Sequence, residues 1–168
     1  SSGVLVFQRG DKKQESFAID EQDITSNILK VSRDVQKAVY FTTGHGERDP
    51  EDYNSENYSQ IKAVLERDNY LVKTVNLATV TDTLPSDVAA IVVAGPRGPF
   101  APQEAERLGK YLDDGGKVMV LADPTVDTGL DDLLARWGVT LRNDAVIDPA
   151  SSFFGDVATP LVSRYRFH

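Results

Sequence analysis

The sequence predicts an α/β domain built on a doubly wound, mostly parallel sheet, with a β-hairpin at its amino end. Two observations carry this prediction. Apolar, β-rich runs alternate with segments of helical periodicity between residues 20 and 148, and three of those runs end abruptly in Gly, Pro or Asp. Such alternation implies parallel strands, right-handed crossovers and helices on both faces of the sheet. We therefore expect a hairpin over residues 1–19, a three-layer domain over 20–148 and a C-terminal segment over 149–168 with the pattern of a strand that is cut short.

The hairpin is predicted from two short runs, residues 4–9 and 14–19, on either side of a polar turn. Asp20 is a suitable N-cap for the helix that follows. An apolar stripe at helical spacing is expected to face inward from this helix, and its members are Ile24, Ile28, Val31 and Val35.

The first buried strand is predicted over residues 37–43. A helix capped by Asn54 or Ser55 should follow, with Tyr58, Ile61 and Leu65 facing inward. The next strand is predicted over residues 70–77.

Two more strand and helix pairs complete the predicted sheet. Strands are expected at 88–94 and 117–122, with a helix starting at Pro102 between them. The last helix should be capped by Asp127 or Thr128, and its predicted inward residues are Leu130, Leu133, Leu134 and Trp137.

The expected strand order can be flavodoxin-like. In that case the 70–77 strand lies outside the 37–43 strand, and the 88–94 strand lies on its other side. Open α/β sheets bind ligands beyond the carboxyl ends of the strands where the order reverses. The loops after residues 43 and 94 would then form the two walls of a crevice.

Composition excludes several classes of function. The 168 residues suit one domain whose core needs no disulfide. With 18 Lys plus Arg against 26 Asp plus Glu, the formal net charge is −8, which argues against nucleic acid as a partner. There is no cysteine, so thiolate nucleophiles and cysteine-based metal sites are excluded, and neither a P-loop nor a GxGxxG motif occurs. We expect no cofactor.

No apolar run approaches the length of a membrane-spanning helix. The chain opens without an initiator methionine, and its only methionine is Met119, inside a predicted strand. We expect that membrane segments lie outside this part of the protein.

His45 and Glu47 are the candidate catalytic residues. Gly44 and Gly46 flank His45 at the end of a strand, where a histidine beside a carboxylate can serve as an acid/base pair. The alternative is a tight turn in which the ring of His45 hydrogen-bonds a backbone carbonyl. The turn is favoured because the sequence identifies no third polar partner and no nucleophile elbow.

Arg97 can direct its guanidinium to a carboxylate or phosphate, or form a salt bridge with the acidic loop at 47–52. Asp123 is suited to a hydroxyl or metal ligand, but an Asp before Pro more often caps a turn. The acidic loop has no EF-hand spacing, so no metal site is assigned. The full predicted binding set is Thr43, Gly44, His45, Gly46, Glu47, Gly95, Pro96, Arg97, Gly98 and Asp123.

These segments resemble a known family. The strand and turn over residues 39–47, the helix start at 20–23, the run 92–96 and the run from Gly115 to Pro124 are similar to the GldG-like auxiliary component of ABC-type transport systems. The resemblance covers roughly residues 20 to 148.

The resemblance implies a glutamine-amidotransferase-like fold without the amidotransferase catalytic residues. It also implies a bacterial domain on the extracytoplasmic side of a membrane, periplasmic or at the cell surface, with an ABC-2-type permease and ATPase as partners and a carbohydrate as a suggested ligand. No established catalytic residues are carried over from the family.

Three hypotheses follow. The first is a noncatalytic binding or assembly domain whose crevice lies between the His45 and Arg97 loops. The second is a hydrolase acting on a glycan or a small anionic substrate, with His45 as base oriented by Glu47. The third is a structural domain that spaces membrane segments.

Overall fold

The computed structural model describes residues 3–18, 20–33, 35–53, 58–80, 83–153 and 155–160. Its elements in chain order are β1 (Leu5–Arg9), β2 (Lys12–Ser16), α1 (Glu21–Ser32), β3 (Ala38–Thr42), α2 (Ser59–Arg67), β4 (Leu71–Val75), a 3₁₀ turn (Leu77–Thr79), β5 (Val88–Ala94), α3 (Pro102–Asp113), β6 (Val118–Leu121), α4 (Asp131–Arg136), β7 (Ser152–Phe153) and β8 (Asp156–Pro160).

The central sheet has four parallel strands in the order β4-β3-β5-β6. The strand at Leu71 therefore lies outside the strand at Ala38, and the strand at Val88 lies on its other side. Successive strands are thus added on one side of β3 and then on the other. The predicted mixed α/β fold with a parallel sheet is confirmed, as is the antiparallel hairpin of β1 and β2.

Side chains that alternate along β3 and β5 divide the core into two layers, as the two-residue period of a strand requires. One layer joins Tyr40, Ile91 and Val93 to Leu108 of α3 and Leu133 of α4. The other lies on the opposite face, where its buried members Val39, Phe41, Val92 and Ala94 are packed by Tyr58 and Leu65 beside α2. Helices thus cover both faces of the sheet.

Asp20 caps α1 as predicted, because its Oδ1 accepts a hydrogen bond from the backbone N–H of Asp23 at 2.9 Å. Two members of the predicted stripe are wrong: Ile28 is 49% exposed and Val35 is 61% exposed. The helix ends at Ser32, so Val35 falls in the segment leading to β3. The main neighbours of α1 are the hairpin strands, and Ser26 donates a hydrogen bond to the carbonyl of Arg67 at the end of α2.

Other local predictions also need correction. The second hairpin strand begins at Lys12, because Gly10 adopts a positive φ of 59° and makes a shorter turn than expected. Ile61 is 42% exposed, since α2 meets the sheet through Tyr58 and Leu65. Trp137 is 50% exposed because α4 ends at Arg136, before the stripe reaches it.

The predicted cap of α4 at Asp127 or Thr128 is wrong, because the helix starts at Asp131 and its N-cap residue is Leu130. Thr128 Oγ1 accepts a hydrogen bond from the Leu130 N–H at 3.3 Å, in the turn before the helix. Asn54, Ser55 and the predicted strand pattern of residues 161–168 lie outside the described residues. Within the described ranges, no helix has both the length and the apolar character needed to cross a membrane.

Candidate functional site

The loop after β3 is tied to both neighbouring strands. The backbone N–H of Thr43 donates to the carbonyl of Val75 at 2.9 Å, and that of Arg48 donates to the carbonyl of Ala94 at 2.8 Å. Gly44 and Gly46 adopt positive φ angles of 118° and 76°, which side chains disfavour, so glycine permits the turn. His45 is therefore held at the carboxyl edge of the sheet.

The loop after β5 lies directly against this turn. The backbone N–H of Arg97 donates to the carbonyl of His45 at 2.7 Å. A side chain on Gly46 would lie 3.1 Å from Cβ of Arg97, so the two loops approach closely at this glycine. The structure thus brings together the two loops that the strand order predicted would meet.

The ring of His45 is held on three sides. Its Nε2 lies 3.0 Å from Oε2 of Glu104, and its Nδ1 lies 3.4 Å from Oε1 of Glu47. It also stacks on the ring of Phe100, with centroids 4.0 Å apart and planes at 28°. The partners of the ring are carboxylates and an aromatic side chain, so the expected bond to a backbone carbonyl is wrong.

Glu104 is the residue that sequence reasoning missed. It lies in the first turn of α3, where its Oε2 also accepts a hydrogen bond from the backbone N–H of Ala101 at 2.9 Å. A Glu three residues after the start of a helix is a recognised capping signal. The sequence therefore contained a reason to place this side chain at the start of α3, but none to aim it at His45.

The cluster is buried and consists of three titratable side chains. The side chains of Glu47 and Glu104 are 1% and 4% exposed, and that of His45 is 14% exposed. Buried polar groups are costly to leave without partners, and the imidazole of His45 lies within hydrogen-bond distance of both carboxyl groups.

One atom of the cluster stays incompletely satisfied. Oε1 of Glu104 is buried and has no hydrogen-bond partner among the described residues. An unpaired buried acceptor costs free energy. The backbone N–H of His45 donates to Oε2 of Glu47 at 2.7 Å, so the Glu47 carboxylate is bonded at both oxygens.

Four well-formed cavities lie away from the His45 cluster. Four cavities of about 250 to 710 Å³ occur on the described part of the chain, and His45, Glu47 and Arg97 line none of the four. Asp123 lines one of about 320 Å³, together with Asp127, Asp131 and Arg142. The expected crevice between the His45 and Arg97 loops is not among them.

The remaining members of the predicted set lie around the same edge. Pro96 is buried, whereas Arg97 is exposed and Gly98 has open space around its Cα. A side chain on Gly95 would lie 3.3 Å from Nε of Arg48 and 3.8 Å from Oδ2 of Asp123, so both side chains lie over this glycine. Across the described ranges, no group of three or more metal-ligating side chains is arranged to hold a metal ion.

Comparisons with known proteins agree on a family and a fold. A family model described as an ABC-type uncharacterized transport system matches residues 36–164. The intraflagellar transport protein 52 homologs of Homo sapiens and Mus musculus are each 30% identical over 131 residues, or 76% of this chain. The chain spans only 26% and 27% of the length of these two relatives.

A solved structure described as the mmIFT52 N-terminal domain has a similar fold. It aligns with a TM-score of 0.56 at 24% sequence identity, over 73% of this chain and 53% of that chain. At this identity the likeness concerns the fold alone.

Proposed function

The chain belongs to the family of ABC-type uncharacterized transport systems, and we propose that it acts there as a noncatalytic assembly domain of an auxiliary protein. The observation that carries this proposal is the state of His45. Its ring is engaged by Glu104, Glu47 and Phe100 and is only 14% exposed, so the side chain is used to hold two loops and a helix together. A general base needs to reach a substrate proton.

The surface proposed to engage a ligand or partner is the outer side of the same edge. It consists of the exposed Arg97, the adjacent Gly98 and the carboxylate of Asp123. The buried cluster beneath gives these loops a fixed backbone, which reduces the entropy lost on binding. The other predicted binding residues shape the backbone of the two loops in this proposal, and they are Thr43, Gly44, Gly46, Gly95 and Pro96.

We also propose the subfamily, fold type, location and partners of the domain. The domain is GldG-like, has a glutamine-amidotransferase-like fold without a catalytic cysteine, and lies on the extracytoplasmic side of a bacterial membrane. Its partners are an ABC-2-type permease and an ATPase, and membrane segments elsewhere in the protein anchor it. The curated relatives are named for intraflagellar transport, and this name supports a transport role for the domain. A carbohydrate is the proposed small ligand.

A second candidate function has one observation in its favour. Glu104 supplies the third polar partner for His45 that the sequence did not identify, so Glu47, His45 and Glu104 form a carboxylate–imidazole–carboxylate array. This geometry suits proton transfer, and it keeps the hydrolase alternative open. Against it stand the stacking on Phe100 and the position of the four cavities away from the ring.

The assembly proposal is tested by co-purification. The full-length protein is co-expressed with the permease and ATPase of its own transporter, and the complex is isolated from detergent-solubilised membranes. We expect Arg97→Glu to lower the amount of permease and ATPase recovered, because it reverses the charge of the exposed tip. The control is Lys13→Glu, whose exposed side chain belongs to the hairpin and pairs with Glu15. Equal recovery with both variants would favour the spacer hypothesis.

The ligand and hydrolase readings are tested on the purified chain. A thermal-shift screen against monosaccharides should give a shift that Asp123→Asn removes, since a ligand that binds the native state raises its stability. A panel of nitrophenyl glycosides and phosphate esters tests for hydrolysis. Turnover that is lost in a folded His45→Gln variant would replace the noncatalytic proposal with the hydrolase.

A further inference from the structure

The largest of the four cavities lies at the opposite edge of the sheet, where the strands begin. It has a volume of about 710 Å³. Lys37 precedes β3, Tyr70 precedes β4 and Lys117 precedes β6, and all three line it. Parallel strands start at the same edge, so the topology brings these distant residues to one place.

Two smaller cavities adjoin this one. A cavity of about 310 Å³ shares Arg33 with it, and a cavity of about 250 Å³ shares Val88, Tyr111 and Asp114 with it. We call these three neighbouring cavities together the basal groove. Its described cationic lining residues are Lys30, Arg33, Lys37, Arg107, Lys110 and Lys117.

The lining of the basal groove is positively charged, although the chain as a whole is negatively charged. Asp114 is the one carboxylate among its described lining residues, against six cations, in a chain whose formal net charge is −8. The side-chain cations of Arg33, Lys37 and Lys117 make no hydrogen bond or ion pair with any other residue in the described ranges. These charges are therefore available to an external anion.

The groove also presents apolar surface between its charges. Val35 is 61% exposed, and Tyr70 and Tyr111 are partly exposed within the same lining. Leu84 lines the adjoining cavity next to Tyr111. A ligand that fits this surface carries both carboxylates and apolar side chains, as an acidic peptide does.

We propose that the basal groove binds an acidic peptide segment of a partner protein. Carboxylates of the segment pair with Arg33, Lys37 and Lys117, and its apolar side chains lie on Tyr70 and Tyr111. A polyanion such as nucleic acid would meet the net negative charge of the rest of the surface, whereas a short acidic segment meets only the groove. The proposal does not rest on the tip loops, because the two surfaces lie at opposite ends of the strands.

The test begins with an unbiased selection. Random dodecapeptides displayed on phage are selected on the immobilised 168-residue chain, after depletion on the charge-reversed variant Lys37→Glu/Lys117→Glu. The dissociation constant of the most enriched peptide is then measured by fluorescence anisotropy at low and physiological salt. Inorganic tripolyphosphate serves as a competing phosphate probe.

We expect the enriched peptides to be rich in Asp and Glu and to bind less tightly as salt rises. The charge-reversed variant should bind them at least about tenfold more weakly, because two attractive charges become repulsive. The matched control Lys13→Glu/Arg142→Glu changes two exposed cations outside the groove and should bind with unchanged affinity. If the charge-reversed variant fails to fold, Lys37→Gln/Lys117→Gln replaces it.

Three results would overturn the proposal. The first is no enrichment, or enrichment of peptides without acidic residues. The second is equal affinity for the wild-type chain and the charge-reversed variant. The third is displacement of the peptide by tripolyphosphate that itself binds more tightly, which would identify a phosphate site. None of these results bears on association through Arg97, so this proposal and the assembly proposal can fail separately.

Discussion

Nε2 of His45 lies 3.0 Å from Oε2 of Glu104, although 59 residues separate them in the chain. The contact joins the loop after β3 to the first turn of α3. Because Arg97 also donates its backbone N–H to the carbonyl of His45, one residue connects three parts of the carboxyl edge. His45 is thus a structural residue of this edge, whatever binds outside it.

Replacing His45 with Ala should destabilise the chain strongly. The change leaves the buried carboxyl groups of Glu47 and Glu104 without the imidazole that contacts both, and each buried polar group left without its partner costs about 1–3 kcal/mol. Guanidinium denaturation measures the free energy of unfolding. Adding Glu104→Gln to the same variant should restore part of the loss, because it replaces one of the two unpartnered carboxyl groups with a neutral amide. A loss within about 0.5 kcal/mol, as for an ordinary surface change, would contradict this account of the cluster.

Gly129→Ala should be far more destabilising than Gly138→Ala. Both glycines have positive φ angles, 66° and 75°, so both variants incur the backbone penalty of about 1–2 kcal/mol. Only at Gly129 would the new Cβ lie 2.6 Å from the carbonyl oxygen of Phe100, whereas at Gly138 nothing lies within 4 Å. The melting temperatures of the two variants isolate the steric contribution. Equal melting temperatures would show that the Phe100 segment shifts freely.

The Lys73–Asp87 pair should make stability depend on pH at both extremes. Nζ of Lys73 lies 2.6 Å from Oδ2 of Asp87, and this bond lowers the pKa of Asp87 below its usual 3.8 and raises the pKa of Lys73 above 10.5. The contribution of Asp87 is thus complete above pH 3.8 and is lost as pH falls through its lowered pKa. That of Lys73 is complete below pH 10.5 and is lost as pH rises through its raised pKa.

Burial also raises the pKa of Tyr40 above 10.0, so its contribution to stability, like that of Lys73, is lost as pH rises through the raised pKa. The measurement is the difference in unfolding free energy between wild type and Asp87→Asn across pH. The difference should be constant near neutrality and shrink below pH 3.8. A difference that stays constant into strong acid would show that the pair does not operate in solution.

Asp20→Ala should weaken α1, because it removes the side chain that caps the helix. The lost interaction is the hydrogen bond from the backbone N–H of Asp23, which also lowers the pKa of Asp20. Asp20→Ser keeps an acceptor at the cap and should retain most of the stability. Chemical denaturation of the three proteins checks the order wild type, Ser variant, Ala variant, and an Ala variant as stable as the Ser variant would contradict it.

Much of the fold was predictable because most of its elements have a local sequence signal. The apolar, β-rich runs of β3 and β5, the cap at Asp20 and the alternation of strands with helices all depend on residues close together in sequence. The errors at Val35 and Trp137 have one origin, since the hydrophobic spacing continues past the residue where each helix ends. Ile28 lies inside α1, on a part of the helix that packing leaves exposed. The spacing predicts which residues share a face, and packing decides how much of that face is covered.

The sequence by itself determined that His45 stands at the carboxyl end of a parallel strand, between glycines that permit its turn, and that the Arg97 loop lies beside it. Only the tertiary structure decided that Glu104 and Phe100 enclose its ring, and that Lys37, Lys117 and Arg33 share a groove at the other edge. The physical reason is the same in both cases. Local steric preferences act between neighbours in the chain, whereas a charge or a ring finds its partner only when the sheet brings distant strand ends together.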